Sequence, residues 1–293
     1  MKEYITPDRI ANSILQRRTQ FNNFIIVEGI HDRLFFLKFK SEKTCVEISF
    51  GWEKLLQVIE GLQKRGYSEM IGIMDKDLRN IIPEKMDFDE KVILTDDHDL
   101  NITTLEQTFQ IIFENYNSGE KTEKFLSDIG KSSVKNHIYE LVLPIAYLKI
   151  LNKREKLHLT FKSNDSKKNN FDYTKFIDKN SFRLTSLEKL VETVINFSHS
   201  KTKEKIRPQH EIVAKLKKII TDEKYNFNDV CAGHDFGEVI SIGLKKALGS
   251  VEVNSETFLK ENILAYEAVD FTQTQLYRSI KNKEKGSNSF LRV

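Results

Sequence analysis

Two stretches decide the fold of this chain: FIIVEG at residues 24–29 and MIGIMDKD at residues 70–77. Each is a run of apolar residues that ends in carboxylates, with Glu28 after the first run and Asp75 and Asp77 after the second. Short apolar runs of this kind predict buried strands of a parallel sheet. Because ligands bind outside the carboxyl ends of such strands, the three carboxylates are expected to converge on one crevice.

Carboxylates that lie close together repel each other unless a cation lies among them. Oxygen ligands of this type favour a hard divalent cation. The two stretches therefore predict a Mg²⁺ site that acts on phosphate.

The rest of the chain extends this pattern in both directions. Helical periodicity and strand-like runs alternate through the first 115 residues, which predicts an α/β domain with a mostly parallel sheet. After residue 116 the strand signal fades, and residues 116–293 are predicted to form a helical subdomain with a polar insertion near 160–182. The predicted strands are 24–27, 45–49, 70–74 and 91–94, and the predicted helices are 5–18, 30–39, 52–64, 103–113, 131–151, 187–198, 210–220 and 239–248.

The composition restricts the class of protein but does not indicate a substrate. The chain has 293 residues and a formal net charge of +3, which is too small to indicate nucleic-acid binding by itself. Cys45 and Cys231 are too few for a disulfide framework or a zinc site without other ligands. No apolar run approaches the ~20 residues that span a bilayer. We therefore expect a cytoplasmic protein without a membrane segment.

The order of the acidic motifs argues against two known phosphate-handling arrangements. Haloacid-dehalogenase-type phosphatases open with an Asp-x-Asp after the first strand, whereas Asp75 and Asp77 follow the third, and Arg79 stands where that motif has Thr or Ser. Receiver domains carry paired acids after strand one and a single Asp after strand three, the reverse of this order.

The combination of Val-Glu-Gly, an intervening strand and helix, and an apolar strand ending in Asp-x-Asp resembles the TOPRIM domain of topoisomerases, bacterial primases and related nucleases. The resemblance covers residues 20–115 and implies a Rossmann-like fold. It also implies that Glu28, Asp75 and Asp77 are the catalytic residues that hold Mg²⁺, or Mn²⁺ in its place, and make or break phosphodiester bonds. Glu28 can ligate a second metal or act as general base or acid, and the sequence leaves both roles open.

A second acidic cluster, Asp96-Asp97-His98-Asp99, follows the fourth predicted strand. One interpretation is a solvated loop that caps the next helix. The other is that Asp97 or Asp99 completes the metal shell from the neighbouring strand end, since TOPRIM nucleases generally carry acids beyond the core three.

The segments DHDLN (97–101) and GHDF (233–236) are similar to a family of TOPRIM-like proteins encoded beside ABC-type ATPases, one branch of which is the effector subunit of PARIS anti-phage systems. This resemblance implies a toxic effector held by an ABC-type ATPase and released to cleave host tRNA. The chain has no ATP-binding P-loop, so another chain would supply ATP hydrolysis. A homodimer is compatible with such an effector.

Several residues are weaker candidates for substrate contact. Arg33, at the start of a predicted helix, can bind phosphate; Lys76 and Arg79 can do so or simply balance the acidic pair. His234 lies in a segment that predicts either a turn or a site. The basic, aromatic stretch 162–183, with Phe171, Tyr173, Phe176 and Phe182, predicts either an RNA-binding surface or a solvated insertion.

Two other functions remain open at this point. A DNA endonuclease would use the same metal site, and a non-catalytic TOPRIM-like module would bind an ATPase or a nucleic acid without cutting it.

Overall fold

The computed structural model describes residues 5–82, 88–161, 171–284 and 289–293. The chain forms two compact units, each described below by itself. The first comprises Met1–Asp77, Glu84–Thr108 and Lys260–Val293, and the second comprises Leu78–Pro83 and Phe109–Leu259.

The helices and strands alternate along the first part of the chain. In order, the helices are α1 (Pro7–Arg17), α2 (Ile30–Phe39), α3 (Trp52–Lys64), α4 (Leu100–Glu114), α5 (Gly119–Ile129), α6 (Val134–Glu155), α7 (Leu187–His199), α8 (Gln209–Asp222), α9 (Phe227–Val230), α10 (Gly233–Lys245), α11 (Ser255–Ala265), α12 (Ala268–Gln273) and α13 (Gln275–Lys283). The strands are β1 (Asn23–Val27), β2 (Thr44–Ile48), β3 (Met70–Met74), β4 (Val92–Leu94), β5 (Ile177–Asp178) and β6 (Arg183–Leu184). Helices α4 and α11 each contain a boundary between the units.

The first unit is built on a four-stranded, wholly parallel sheet with the strand order β2-β1-β3-β4. This confirms the predicted α/β class and its parallel sheet. All five residues of β1 and of β3 are buried, as expected for central strands with both faces covered.

Alternating side chains of the sheet belong to two separate cores. Phe24 and Ile26 pack with apolar residues of α1 and α3, whereas Ile25 and Val27 pack with α2 and with the C-terminal helices. This alternation is the two-residue period of a strand. Gly72 of β3 permits close packing of α3, because a Cβ there would lie 2.5 Å from the Cδ1 atom of Ile59.

The C-terminal segment belongs to the first unit, which differs from the predicted assignment of residues 116–293 to a helical subdomain. Phe271, Leu276 and Ile280 are buried in the same core as Ile25 and Val27 of β1. The chain end is also fixed by backbone hydrogen bonds, in which Ser41 donates to Phe290 and Arg292 donates to Phe39, each at 2.9 Å. Removal of apolar surface from water is the physical reason for this return of the chain to the sheet.

The second unit is mainly helical in the residues that the structure describes. Helices α7 and α8 contain the predicted stretches 187–198 and 210–220, and α6 and α10 overlap the predicted stretches 131–151 and 239–248. Helix α10 begins at Gly233, so GHDF forms its first turn; the sequence predicted a turn before a helix at residue 239.

The predicted insertion at 160–182 is described in part, since 162–170 lie outside the described residues. Its remaining residues form a short 3₁₀-helix (Tyr173–Lys175) and, with the residues that follow, the β5–β6 hairpin. Phe171, Tyr173, Phe176 and Phe182 are all buried, and Phe171 packs against the rings of Tyr173 and Phe176. These aromatics therefore form core, which contradicts both the solvated insertion and the base-stacking surface for this part of the stretch.

No helix among the described residues is both long enough and apolar enough to cross a membrane.

Candidate functional site

Two of the predicted site residues meet directly at the carboxyl end of the sheet. Strands β1 and β3 are parallel neighbours in which Val27 pairs with Ile73, so the residues that follow them emerge side by side. The backbone N–H of Asp75 donates to the Oε1 atom of Glu28 at 3.0 Å. The register of the sheet thus brings Glu28 and Asp75 together, and the hydrogen bond orients the Glu28 carboxylate.

The Asp75 carboxyl is the centre of a cluster of acidic side chains. Burial raises its pKa well above the usual range, and the negative charges of four neighbours raise it further. In decreasing order of effect these neighbours are Asp32, Asp99, Glu28 and Asp77. The structure therefore places both predicted motifs, and Asp99 of the second acidic cluster, within electrostatic range of one group.

Asp32, in the first turn of α2, is a member of this cluster that is not among the site residues predicted from the sequence. It is 8% exposed, and its Oδ2 atom accepts the backbone N–H of Gly29 at 2.8 Å, which caps α2. Burial raises the pKa of Asp32 to about 6; the Gly29 N–H lowers it, and the charge of Asp99 raises it. The available signal was its position four residues after Glu28, where a helical side chain points back towards the strand end.

Asp77 lies in a strained turn of the segment after β3, which contacts the acidic segment after β4. Its φ is +48°, in the left-handed region that Asp and Asn tolerate better than most residues. Its backbone N–H donates to the carbonyl oxygen of His98 at 2.8 Å, and its Oδ1 atom is 3.8 Å from the Nε2 atom of His98. The Asp77 side chain is 44% exposed, so it has access to solvent.

Lys76 joins the two loops. Its ammonium donates to the backbone carbonyl of Asp96, and its N–H donates to the Oγ1 atom of Thr95 at 2.9 Å. Thr95 in turn donates to the carbonyl of Asp97 at 2.8 Å. These bonds hold the segment after β3 to the segment after β4, which favours structural charge balance over phosphate contact for Lys76.

The residues of the second acidic cluster have separate tasks. Asp99 caps α4 by accepting the Ile102 N–H at 2.9 Å while its charge acts on Asp75. Asp96 accepts the N–H groups of Gln275 and Leu276, at 2.6 and 2.7 Å, and thereby caps α13. The helix-cap interpretation is therefore correct for Asp99 and extends to a distant helix for Asp96.

Asp97, the other predicted metal ligand of this cluster, has different partners. Burial raises its pKa, whereas a hydrogen bond with Thr103 and the charge of Lys76 lower it. Asp99, but not Asp97, is among the charges with the largest effect on the pKa of Asp75.

Three predicted substrate-contact residues remain. Arg33 is exposed on the first turn of α2. Arg79 and His234 belong to the second unit, in which the ring of His234 contacts Tyr173. The neighbouring Asp235 is 2% exposed, forms an ion pair with Lys149 and accepts the Tyr173 hydroxyl at 2.6 Å, so it has a structural role.

The donor set has the right chemistry for a hard cation. In the described part of the chain, no three His, Cys, Asp or Glu side chains are arranged to hold a metal ion. The cluster around Asp75 nevertheless supplies only carboxylate oxygens, which Mg²⁺ prefers. A divalent cation would also relieve the repulsion that contributes to the raised pKa of Asp75, so the chemistry of these residues fits such an ion.

Comparison with known proteins does not identify a family for this chain. A scan against protein-family models gives no match, and a search of the curated proteins gives none either. The TOPRIM resemblance therefore rests on the motifs quoted above.

The raised pKa of Asp32 predicts a pH-dependent stability difference between the wild type and Asp32→Asn. A carboxyl with a raised pKa binds more protons in the folded state, so its contribution to stability is lost as pH rises from about 4 through the folded pKa of about 6. Asn keeps the acceptor for Gly29 and removes the charge. The free energy of unfolding of Asp32→Asn, relative to that of the wild type, should therefore increase by about 1 kcal/mol from pH 5 to pH 7.5. Urea unfolding in EDTA measures it.

A stability difference between Asp32→Asn and the wild type that is equal at pH 5 and pH 7.5 would contradict the raised pKa of Asp32. Asp222→Asn, at an exposed residue at the end of α8, is the control for loss of one carboxylate.

Proposed function

We propose that this protein is a metal-dependent phosphodiesterase that cleaves nucleic acid, with a TOPRIM-like, Rossmann-like domain. The observation that carries the proposal is the meeting of Glu28 and Asp75, with Asp32, Asp77 and Asp99 in electrostatic range, at the carboxyl end of a parallel sheet. This is where α/β folds of this kind bind ligands.

Mg²⁺, when bound, would neutralise charge on the phosphoryl oxygens and activate a water. Asp75, Asp77 and Asp99 are the residues that we propose to hold it, with Mn²⁺ as a substitute. Asp77 would reach the ion from the solvent side, because it is the most exposed of the three.

Glu28 accepts a hydrogen bond from a backbone group. The Asp75 N–H fixes its Oε1 atom at 3.0 Å, so loss of the Asp75 carboxyl would leave Glu28 in place. A carboxylate among other carboxylates suits a group that accepts a proton from water, and it equally suits direct binding of a cation. Both roles place Glu28 at the reacting atoms.

We propose the biological setting from the second resemblance. The chain would be the effector of a PARIS-type anti-phage system in the cytoplasm, held by an ABC-type ATPase and released to cleave tRNA, with a homodimer as the active form. The small net charge supports neither RNA nor DNA by itself, so the choice of tRNA rests on the resemblance.

The direct test is incubation of the purified chain with tRNA or with supercoiled plasmid DNA, in Mg²⁺, in Mn²⁺ or in EDTA. We expect the tRNA to be cut in either metal, the plasmid to stay intact, and both to stay intact in EDTA. Nicking of the plasmid alone would identify a DNA endonuclease instead. Cleavage of neither would leave a binding module and overturn the proposal.

A second prediction concerns the metal alone. Asp77→Asn should weaken Mg²⁺ binding at least about 10-fold in calorimetric titration, because a charged oxygen ligand is replaced by a neutral one. Asn also tolerates the left-handed backbone at this position, so the turn is expected to survive. Asp222→Asn is again the control. Equal affinity in Asp77→Asn and the wild type would remove Asp77 from the metal site.

A further inference from the structure

A pocket of about 520 Å³ lies beside β2, the strand at one end of the sheet order. Its apolar lining includes Ile10 of α1, Val46 and Ile48 of β2, and Phe50 of the following loop. Two arginines, Arg9 and Arg33, also line it. The volume is within the range of small-ligand sites.

The charges in this pocket are unbalanced. Within the described ranges, the guanidinium groups of Arg9 and Arg33 have no hydrogen bond or ion pair with a protein side chain. Among the described lining residues, the carboxylate is that of Glu47, which is already paired with Arg17 at 2.6 Å. The pocket therefore offers two uncompensated cations beside an apolar lining, which complements an anion that carries an apolar or aromatic group.

The pocket adjoins the acidic centre through the loop after β2. Gly51, next to Phe50, donates its N–H to the carbonyl of Glu28 at 3.2 Å, and Ser49 donates to the carbonyl of Val27 at 2.8 Å. Phe50 itself has a φ of +64°, a strained value for an aromatic residue. Phe50, whose ring lines the pocket, is thus the residue next to Gly51, which contacts the backbone of Glu28.

We infer that this pocket binds one unpaired nucleotide of a single-stranded or looped nucleic acid, with the base against Phe50 and the phosphate at Arg9 and Arg33. The inference rests on the proposed function, whose substrate it specifies further. Guanidinium groups bind phosphate through two parallel hydrogen bonds, and aromatic side chains stack on bases of any sequence. A base can enter the pocket only when it is unpaired, so duplexes are excluded as ligands.

The test is fluorescence anisotropy of the full chain with a labelled 12-nucleotide single-stranded RNA in EDTA, where no metal-dependent cleavage occurs. We expect Arg9→Gln and Arg33→Gln each to weaken binding about 5- to 20-fold. Each should also lower the slope of log Kd against log salt by about 0.7, the value for loss of one phosphate contact on a single strand. Arg18→Gln is the matched control, since Arg18 is an exposed arginine at the end of α1 and does not line the pocket.

The base contact is tested separately with Phe50→Leu, which keeps an apolar side chain and removes the ring. We expect it to weaken binding of the RNA about 5-fold or more and to leave binding of an abasic oligonucleotide unchanged. A duplex of the same sequence should bind at least about 10-fold more weakly than the single strand. Thermal melting verifies that each variant is folded.

Three results would overturn the inference: losses in Arg9→Gln and Arg33→Gln no larger than in Arg18→Gln, unchanged affinity in Phe50→Leu, or duplex binding as tight as single-strand binding. Because binding is measured without metal, failure of the pocket is distinct from failure of the hydrolase. If the chain binds RNA as expected but does not cleave it, the pocket is supported and the nuclease function is contradicted. If the chain cleaves RNA but its binding is unaffected by these substitutions, the nuclease function is supported and the pocket is contradicted.

Discussion

Replacement of Glu28 by Gln is expected to reduce cleavage of tRNA in Mg²⁺ by about 10³-fold or more, with an unchanged melting transition. Gln retains an Oε1 atom that can accept the Asp75 N–H, so the local hydrogen bond of the wild type is preserved. What is lost is the negative charge and the ability to take a proton. General acid–base catalysis contributes about 10²–10⁴-fold, and a neutral amide is also a poorer ligand for a cation, so a loss is expected whichever role Glu28 has. Single-turnover cleavage with excess enzyme is the measurement.

Two further substitutions make this result specific. Glu42→Gln removes a charge from an exposed residue between α2 and β2 and should cleave at the wild-type rate. Glu28→Ala removes the acceptor as well, so it should lose cleavage and also lower the free energy of unfolding by about 1 kcal/mol. Cleavage within tenfold of the wild type in Glu28→Gln would exclude Glu28 from the reaction.

The second large effect is expected at the buried ion pair of the second unit. Lys149→Met should lower the free energy of unfolding by about 3–5 kcal/mol, because it leaves the Asp235 carboxylate buried without its cation. Burial by itself would raise the pKa of Asp235, but the charge and hydrogen bond of Lys149 and the Tyr173 hydroxyl lower it below its usual value. The pair therefore stabilises the fold above about pH 4 and loses this contribution as pH falls through the lowered pKa. Urea unfolding at pH 7 measures the loss.

A double variant distinguishes an unpaired charge from lost packing. Asp235→Asn added to Lys149→Met should recover much of the stability, since no charge is then buried. Lys153→Met, on the exposed side of the same helix, controls for the loss of a lysine from α6. Equal stability of Lys149→Met and Lys153→Met would show that the pair does not stabilise the unit.

The sheet and the centre of the candidate site could be predicted because both depend on local pattern. The apolar runs 24–27 and 70–74 match β1 and β3 closely, since central parallel strands require buried side chains at every position. Once two such strands are parallel neighbours, the residues after them must meet. For that reason the proximity of Glu28 and Asp75 could be predicted from the sequence alone.

The parts that could not be predicted depend on distant partners. Asp32 has the local pattern of a helix cap, and only the fold shows that its carboxyl also faces Asp75 and Asp99. Asp96 caps a helix 179 residues away, which no window of sequence can reveal. The aromatics of 171–182 resembled a base-binding surface because their neighbours are polar; their burial depends on packing with the rest of the second unit.

The late return of the chain to the sheet has a consequence for how the protein is made. Strands β1–β4 end at Leu94, yet one of their faces is covered by residues between Ile263 and Leu291. During synthesis at about 5–20 residues per second, the sheet waits on the order of 10–40 s for this cover. Until then this side of the sheet is covered only in part, by residues that include those of α2, and Asp96 has no helix to cap. We therefore expect nascent chains that still lack these residues to need chaperones.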